Sequence, residues 1–133
     1  YGAEGEVLKV FNVKDGTAIK ALISEGVKFG VVSGRGSAAL LRRAEELGLD
    51  FCQMNISDKA EAVAALREQY GVAVHETLFV GDDTNDCVVR SECGHLYAVN
   101  DAAQALLEIC DVQLKTKGGA GVFKEVLKRI HGN

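Results

Sequence analysis

Proline is missing from all 133 residues, and no linker, internal repeat or low-complexity tract divides them. With no boundary marked, the expectation is one globular domain over residues 1–133, its 47% apolar content supplying one sizeable core. An excess of positive charge is missing as well. Fifteen Lys plus Arg against nineteen Asp plus Glu leave a net charge of −4, which offers no broad attraction to nucleic acid or to anionic lipid. Any anionic ligand must be held locally. Cys-x-x-Cys spacing is absent among the four cysteines, Cys52, Cys87, Cys93 and Cys110. They sit in apolar segments and read as reduced core thiols rather than as a zinc site or a disulfide framework. No stretch approaches the roughly 20 apolar residues of a membrane span, and "YGAEGEVLKV" lacks the basic head and apolar core of a signal peptide. No membrane association and no export are expected, which makes the cytoplasm the expected location.

What is present is a regular alternation of two periods. "DGTAIKALISEG" has Asp15 as a cap, Ile19, Leu22 and Ile23 at helical spacing and Gly26 as a stop, and reads as a helix. "VKFGVVS" is a short β-branched run, and "SAALLRRAEELG" repeats the helix plan from Ser37 to Gly48. "LDFCQM" is strand-like, and "SDKAEAVAALREQYG" is a helix capped by Ser57 and ended at Gly71. "ETLFVG" is a buried strand, "TNDCVVRSECG" a short helix, "HLYAV" a strand, "DAAQALLEIC" a helix, "DVQLK" a strand and "VFKEVLKRIHG" a last helix. Strict alternation needs parallel strands joined by crossovers, so the fold class is α/β with a doubly wound parallel sheet. Tyr1 to Phe11 breaks the pattern and reads as a turn plus one hairpin strand. In such folds ligands bind beyond the carboxyl ends of the strands.

Three strand-exit loops carry chemistry. In "VVSGRGS", Ser33 supplies a hydroxyl, Gly34 permits close backbone approach, and the helix opened at Ser37 directs free N–H groups toward the loop, an anion seat. "NISDK" sets Lys59 in a first helical turn, where the helix dipole disfavours a cation; it is either solvated or faces an anion. "LFVGDDTND" puts Asp82, Asp83 and Asp86 after a buried strand, and such crowded carboxylates call for a neutralising cation. Oxygen ligands of this kind suit Mg²⁺, which takes one or two protein carboxylates and leaves the rest to water and phosphate. The alternative is that Asp83 or Thr84 merely caps the next helix and the others are solvated, which suits one of the three but not all. Hydroxyl, lysine and carboxylates at one sheet edge are equipment for phosphoryl transfer. "GRGSAA" formally gives a dinucleotide-binding pattern, but that reading leaves Lys59 and the acidic cluster unexplained. A receiver domain carries its acidic pair ahead of the hydroxyl and lysine; here the pair comes last.

The order Ser33, Lys59, then Gly81-Asp82-Asp83-x-x-Asp86 resembles motifs two to four of the haloacid dehalogenase superfamily of Mg²⁺-dependent phosphatases. "GEVLKVFNVKDGTAIKAL", "VVSGRGS", "RRAEELGL", "SDKAEAV", "LFVGDDTNDCVV" and "KGGAGVFKEV" are similar to blocks of its 3-deoxy-D-manno-octulosonate 8-phosphate phosphatase branch. That branch includes related nonulosonate phosphatases and the C-terminal domain of CMP-sialate synthetases. The resemblance implies a phosphatase of a small sugar-acid phosphate acting through a phospho-aspartyl intermediate, in a homotetramer. Asp82 would ligate Mg²⁺ with Asp83 and Asp86 in support, Ser33, Gly34 and Lys59 would hold the phosphate, and Arg35 would lie near the sugar acid. The alternative is a non-catalytic oligomerisation domain of a synthetase, against which the intact acidic motif argues. The family's Asp-x-Asp-Gly strand, source of the nucleophile, has no match here: in "VKDGT" the corresponding position is Val13. Its strand is expected upstream of Tyr1. Ala120 and Lys124 replace residues that are commonly basic, Lys124 standing for Arg.

Overall fold

The computed structural model describes residues 13–117 and 121–132, with side chains from Gly16 onward. The hairpin expected over Tyr1–Phe11, and Ala120, lie outside the described residues. The chain order is α1 (Val13–Ser24), β1 (Gly30–Val32), α2 (Ala38–Leu47), β2 (Phe51–Gln53), α3 (Lys59–Tyr70), β3 (Leu78–Gly81), β4 (His95–Ala98), α4 (Gln104–Ile109), β5 (Val112–Gln113) and α5 (Val122–Ile130). Two 3₁₀ segments, Val74–Glu76 and Thr84–Glu92, flank β3.

All three strand pairings are parallel, as the alternation requires: Gly30 lies beside Phe51, Leu78 beside His95, and Tyr97 beside Val112. The described strands fall into two groups, β1-β2 and β3-β4-β5. β1 and β3 are buried along their whole length, which explains why both read as continuous apolar runs rather than as alternating ones. Two aspartates grip the starts of these parallel pairs in the same way. Asp50, just before β2, accepts the Phe29 N–H at 2.8 Å, and Asp111, just before β5, accepts the Leu96 N–H at 2.7 Å. Each carboxylate satisfies a donor where a new strand enters.

Helices pack in two groups, α1 with α5 and α3 with the long 3₁₀ segment, which in turn meets α4. One apolar cluster joins strands and helices through Ile19, Phe29, Val31, Phe79, Leu96 and Phe123. The Phe29 and Phe123 rings meet edge to face, 5.2 Å between centroids, tying α5 to the residue before β1. Cys93 is buried, and burial, opposed by Arg90, pushes its thiol up to about 11, so it stays protonated at neutral pH. Among the described residues no helix is long and apolar enough to cross a membrane.

Several local expectations are corrected. α1 starts at Val13, so Asp15 lies inside its first turn instead of capping it. Asp58, not Ser57, caps α3: its Oδ1 accepts the Glu61 N–H at 3.1 Å. A carboxylate one residue closer to the helix wins because its oxygen reaches the N3 donor. The short helix expected after β3 is present as 3₁₀, and α4 starts at Gln104 rather than at Asp101. Ser37 does cap α2, accepting the Leu40 N–H at 3.0 Å, and Gly48 and Gly71 end their helices at φ 70° and 65°.

Candidate active site

The chemistry-bearing loops lie where the sequence reading put them, after β1, β2 and β3, and backbone hydrogen bonds lace the first two together. The Ser33 N–H donates to Gln53 O at 2.8 Å, the Ile56 N–H to Ser33 O at 2.9 Å, and the Asn55 N–H to Arg35 O at 3.3 Å. Ser33 is fully buried, its Oγ accepting the Arg35 N–H at 3.1 Å, whereas Gly34, Arg35 and Gly36 are exposed. The loop thus runs from a shielded hydroxyl to an open rim within three residues.

Lys59 opens α3 with its side chain 2% exposed, and Nζ lies 2.7 Å from Asp86 Oδ1, itself 0% exposed. The alternative of a solvated lysine is thereby removed. A buried cation is tolerable only against a well-bonded anion, and Asp86 is well bonded. Its Oδ2 accepts the backbone N–H groups of Asp82 at 3.0 Å and Asp83 at 3.1 Å. One carboxylate therefore fixes both the lysine head and the backbone of the acidic turn. Gly81 makes this approach possible: a Cβ there would stand 2.9 Å from Asp86 Cβ and Oδ2.

Asp83 serves as the cap of the 3₁₀ segment. Its exposed side chain accepts the Thr84 N–H at 2.7 Å, and its carbonyl accepts the Asp86 N–H at 3.0 Å. Asp82 differs: it is half-buried, with Oδ1 shut off from solvent. Its carbonyl accepts the Ala103 N–H at 2.9 Å, docking the loop after β4 against the acidic turn. The three acidic residues therefore have three different local tasks. The Cys87 thiol is held above its ordinary pKa by burial first and then by the charges of Asp86 and Asp83.

An all-oxygen set fits a hard cation such as Mg²⁺. Asp82 offers a shielded oxygen with a fixed backbone, Asp83 an adjacent carboxylate at the rim, and Asp86 acts through the turn it anchors. Among the described residues no three His, Cys, Asp or Glu side chains converge as a cage, so a cation here would draw on one or two carboxylates plus water and phosphate.

Two features escaped the sequence reading. The Ala103 contact carries no motif that would mark it. Asn55 is the one described non-glycine residue at positive φ, 59°, and an asparagine ahead of a helix cap was a usable sign of a left-handed turn.

Residues 54–126 match the family of haloacid dehalogenase-like hydrolases. The chain is 37% identical over 130 residues to the 3-deoxy-D-manno-octulosonate 8-phosphate phosphatase of Haemophilus influenzae, covering 98% of this chain and 72% of that protein. Against the Yersinia pestis enzyme of the same name it is 34% identical over 129 residues, covering 97% and 69%. The fold superposes on the cobalt-bound Haemophilus influenzae phosphatase with a TM-score of 0.93 at 31% identity, over 98% of this chain and 86% of that one. It also superposes on the Moraxella catarrhalis enzyme solved with magnesium, phosphate and a KDO molecule. There the TM-score is 0.91 at 26% identity, over 98% and 84%.

Proposed function

Since the chain belongs to the haloacid dehalogenase-like hydrolases, in the branch of the 3-deoxy-D-manno-octulosonate 8-phosphate phosphatases, we propose that it hydrolyses the phosphomonoester of a small sugar acid with Mg²⁺ as cofactor. The observation that carries this reading is the buried Lys59–Asp86 pair set between the Ser33 loop and the Asp82–Asp83 turn. A cation, a hydroxyl and a carboxylate turn lie at strand exits of one fold, and such groups together can orient and neutralise a phosphate monoester.

In this reading the Ser33 hydroxyl, the Gly34 N–H and the Lys59 ammonium orient the phosphate oxygens and offset their charge. Asp82 would hold the metal directly, Asp83 would orient its waters, and Asp86 would keep Lys59 and the turn in register. Bound Mg²⁺ would neutralise the phosphate oxygens as charge develops on them. Arg35, exposed beside the phosphate seat, suits the carboxylate of a sugar acid.

The attack itself requires a further carboxylate. β1 and β3 each pair on one edge among the described strands, yet both are fully buried, as strands inside a sheet are. A strand seated between them would bring a carboxylate between Ser33 and Asp82. Its oxygen would bond to phosphorus as the bond from phosphorus to the ester oxygen breaks and a second carboxyl group on that strand gives the leaving oxygen its proton; water, losing a proton to the same group, would then release phosphate from the acyl phosphate and regenerate the carboxylate. The proposal extends to a cytoplasmic homotetramer. A non-catalytic synthetase module is not favoured, since the matching proteins above are named as phosphatases.

The test is release of inorganic phosphate from 3-deoxy-D-manno-octulosonate 8-phosphate and from an aryl phosphate by the full natural protein. Turnover of the sugar ester with Mg²⁺ and none in excess chelator is expected. Equal turnover in chelator would remove the metal from the reading.

A further inference from the structure

We propose that Asn55 is a substrate-recognition residue. Its side-chain amide would meet the alcohol half of the phosphate ester at the rim of the site and select for a polyhydroxylated, carboxylated leaving group. The inference rests on the phosphatase reading above.

Three observations lead there. Asn55 sits at φ 59°, a left-handed conformation that asparagine adopts more readily than other non-glycine residues and glycine most readily of all. Backbone bonds impose it here: the Asn55 N–H reaches Arg35 O, and the next residue's N–H reaches Ser33 O. The turn itself therefore needs only the backbone, and glycine would meet that need without strain. The side chain is an addition. It lies against Gly36, where a Cβ would stand 2.9 Å from Nδ2 and 3.3 Å from Oδ1. The absence of a side chain at Gly36 leaves the amide its place.

Burial then fixes the direction in which a substrate extends. Ser33 and Lys59 are shielded, while Arg35, Gly36 and Asn55 are exposed. A phosphate seated on the shielded groups must pass its ester oxygen and alcohol outward over that rim. Asn55 offers two donors and an acceptor there, and Arg35 a guanidinium. Hydroxyl and carboxylate groups use the hydrogen-bonding capacity of the Asn55 amide, which an aryl ring leaves unused.

The measurement is the ratio of kcat/KM for 3-deoxy-D-manno-octulosonate 8-phosphate over that for p-nitrophenyl phosphate, in the full natural protein with Mg²⁺. Asn55→Gly keeps the left-handed turn and deletes the amide. It is expected to lower the ratio about tenfold, with the change in KM for the sugar ester, the size of one lost hydrogen bond to a charged or polar group. Gly36→Ala, whose methyl would displace the amide, should move the ratio in the same direction, and the double variant should fall short of the product of the two. Asn55→Ala separates the backbone role, since it pays the positive-φ strain and should unfold at lower temperature than Asn55→Gly. A merely structural Asn55 would leave the ratio unmoved in Asn55→Gly, or lower both substrates alike, and either result overturns the proposal. An unmodified protein that turns over the aryl ester but not the sugar ester overturns the substrate reading first, and this inference with it.

Discussion

Lys59 Nζ lies 2.7 Å from Asp86 Oδ1 with neither side chain reaching solvent, and the other oxygen of Asp86 holds the backbone N–H groups of Asp82 and Asp83. One ion pair therefore joins the first turn of α3 to the 3₁₀ segment after β3, across 27 positions of chain. Loss of either partner strands the other's charge in a low-dielectric site, which is the expensive case for a buried pair.

Asp86→Asn is expected to lower unfolding free energy by about 3–5 kcal/mol, the range for breaking a buried pair, read from urea midpoints with the slope unchanged. Activity should fall as well. Lys59→Met should cost less stability, because Asp86 keeps its two backbone donors. A smaller loss in Asp86→Asn than in Lys59→Met would contradict the geometry.

Gly81→Ala tests the close approach from the other side. The added methyl would meet Asp86 Cβ and Oδ2 at 2.9 Å, so the carboxylate must retreat from Lys59 or from the turn. A destabilisation of roughly 1–3 kcal/mol is expected from overpacking, together with loss of phosphatase activity. Unchanged activity in a folded variant would show that the position of Asp86 has slack.

Asp82→Asn separates the direct ligand from its neighbours. Activity should fall by at least about a hundredfold, as it does when a charge-stabilising group is removed, while the unfolding midpoint stays near that of the unmodified protein. Asp83→Asn should be milder, since an amide oxygen can still accept the Thr84 N–H. Raising Mg²⁺ should restore Asp83→Asn further than Asp82→Asn.

Glu125 gives a pH-dependent stability signal of its own. Burial pushes its carboxyl up, but the N–H of Lys115, the hydroxyl and N–H of Thr116 and the charge of Arg129 together bring it below its ordinary 4.5. A carboxyl lowered in the folded state stabilises above its unfolded pKa, and that contribution fades as pH falls through the folded value. Glu125→Gln should therefore be less stable than the unmodified protein at pH 6–7, with the gap closing on acidification below pH 4.5. A gap that widens in acid would reverse the sign and exclude this role. The bonds to Lys115 and Thr116, at 3.0 and 2.9 Å, are what tie α5 to the exit of β5.

Much of this molecule was legible from local patterns. Period and punctuation gave the order of strands and helices, since a glycine at φ 70° or 65° stops a helix whatever surrounds it. The parallel sheet followed from alternation, because parallel neighbours demand crossovers. Ser33, Lys59 and the acidic turn were singled out by residue type and position at strand exits. Local pattern failed where two donors or two caps competed within one or two residues. Asp58 displaced Ser57 at α3, and the helix after Gly81 is 3₁₀, with Asp83 and Asp86 capping it reciprocally.

The partner of Lys59 could not be read from the sequence. Adjacent positions along a chain say nothing about which carboxylate a buried cation will meet; that depends on how α3 packs against the segment after β3. Among the three aspartates, family resemblance set Asp82 apart, but only packing showed a shielded oxygen on Asp82, an exposed cap at Asp83 and a buried anchor at Asp86. Residue order alone determined the α/β class and the strand-exit location of the chemistry, because period and turn residues act within a few positions. Tertiary structure decided which charges pair and which side chain faces the rim, because burial and long-range contact set the energy of a charge.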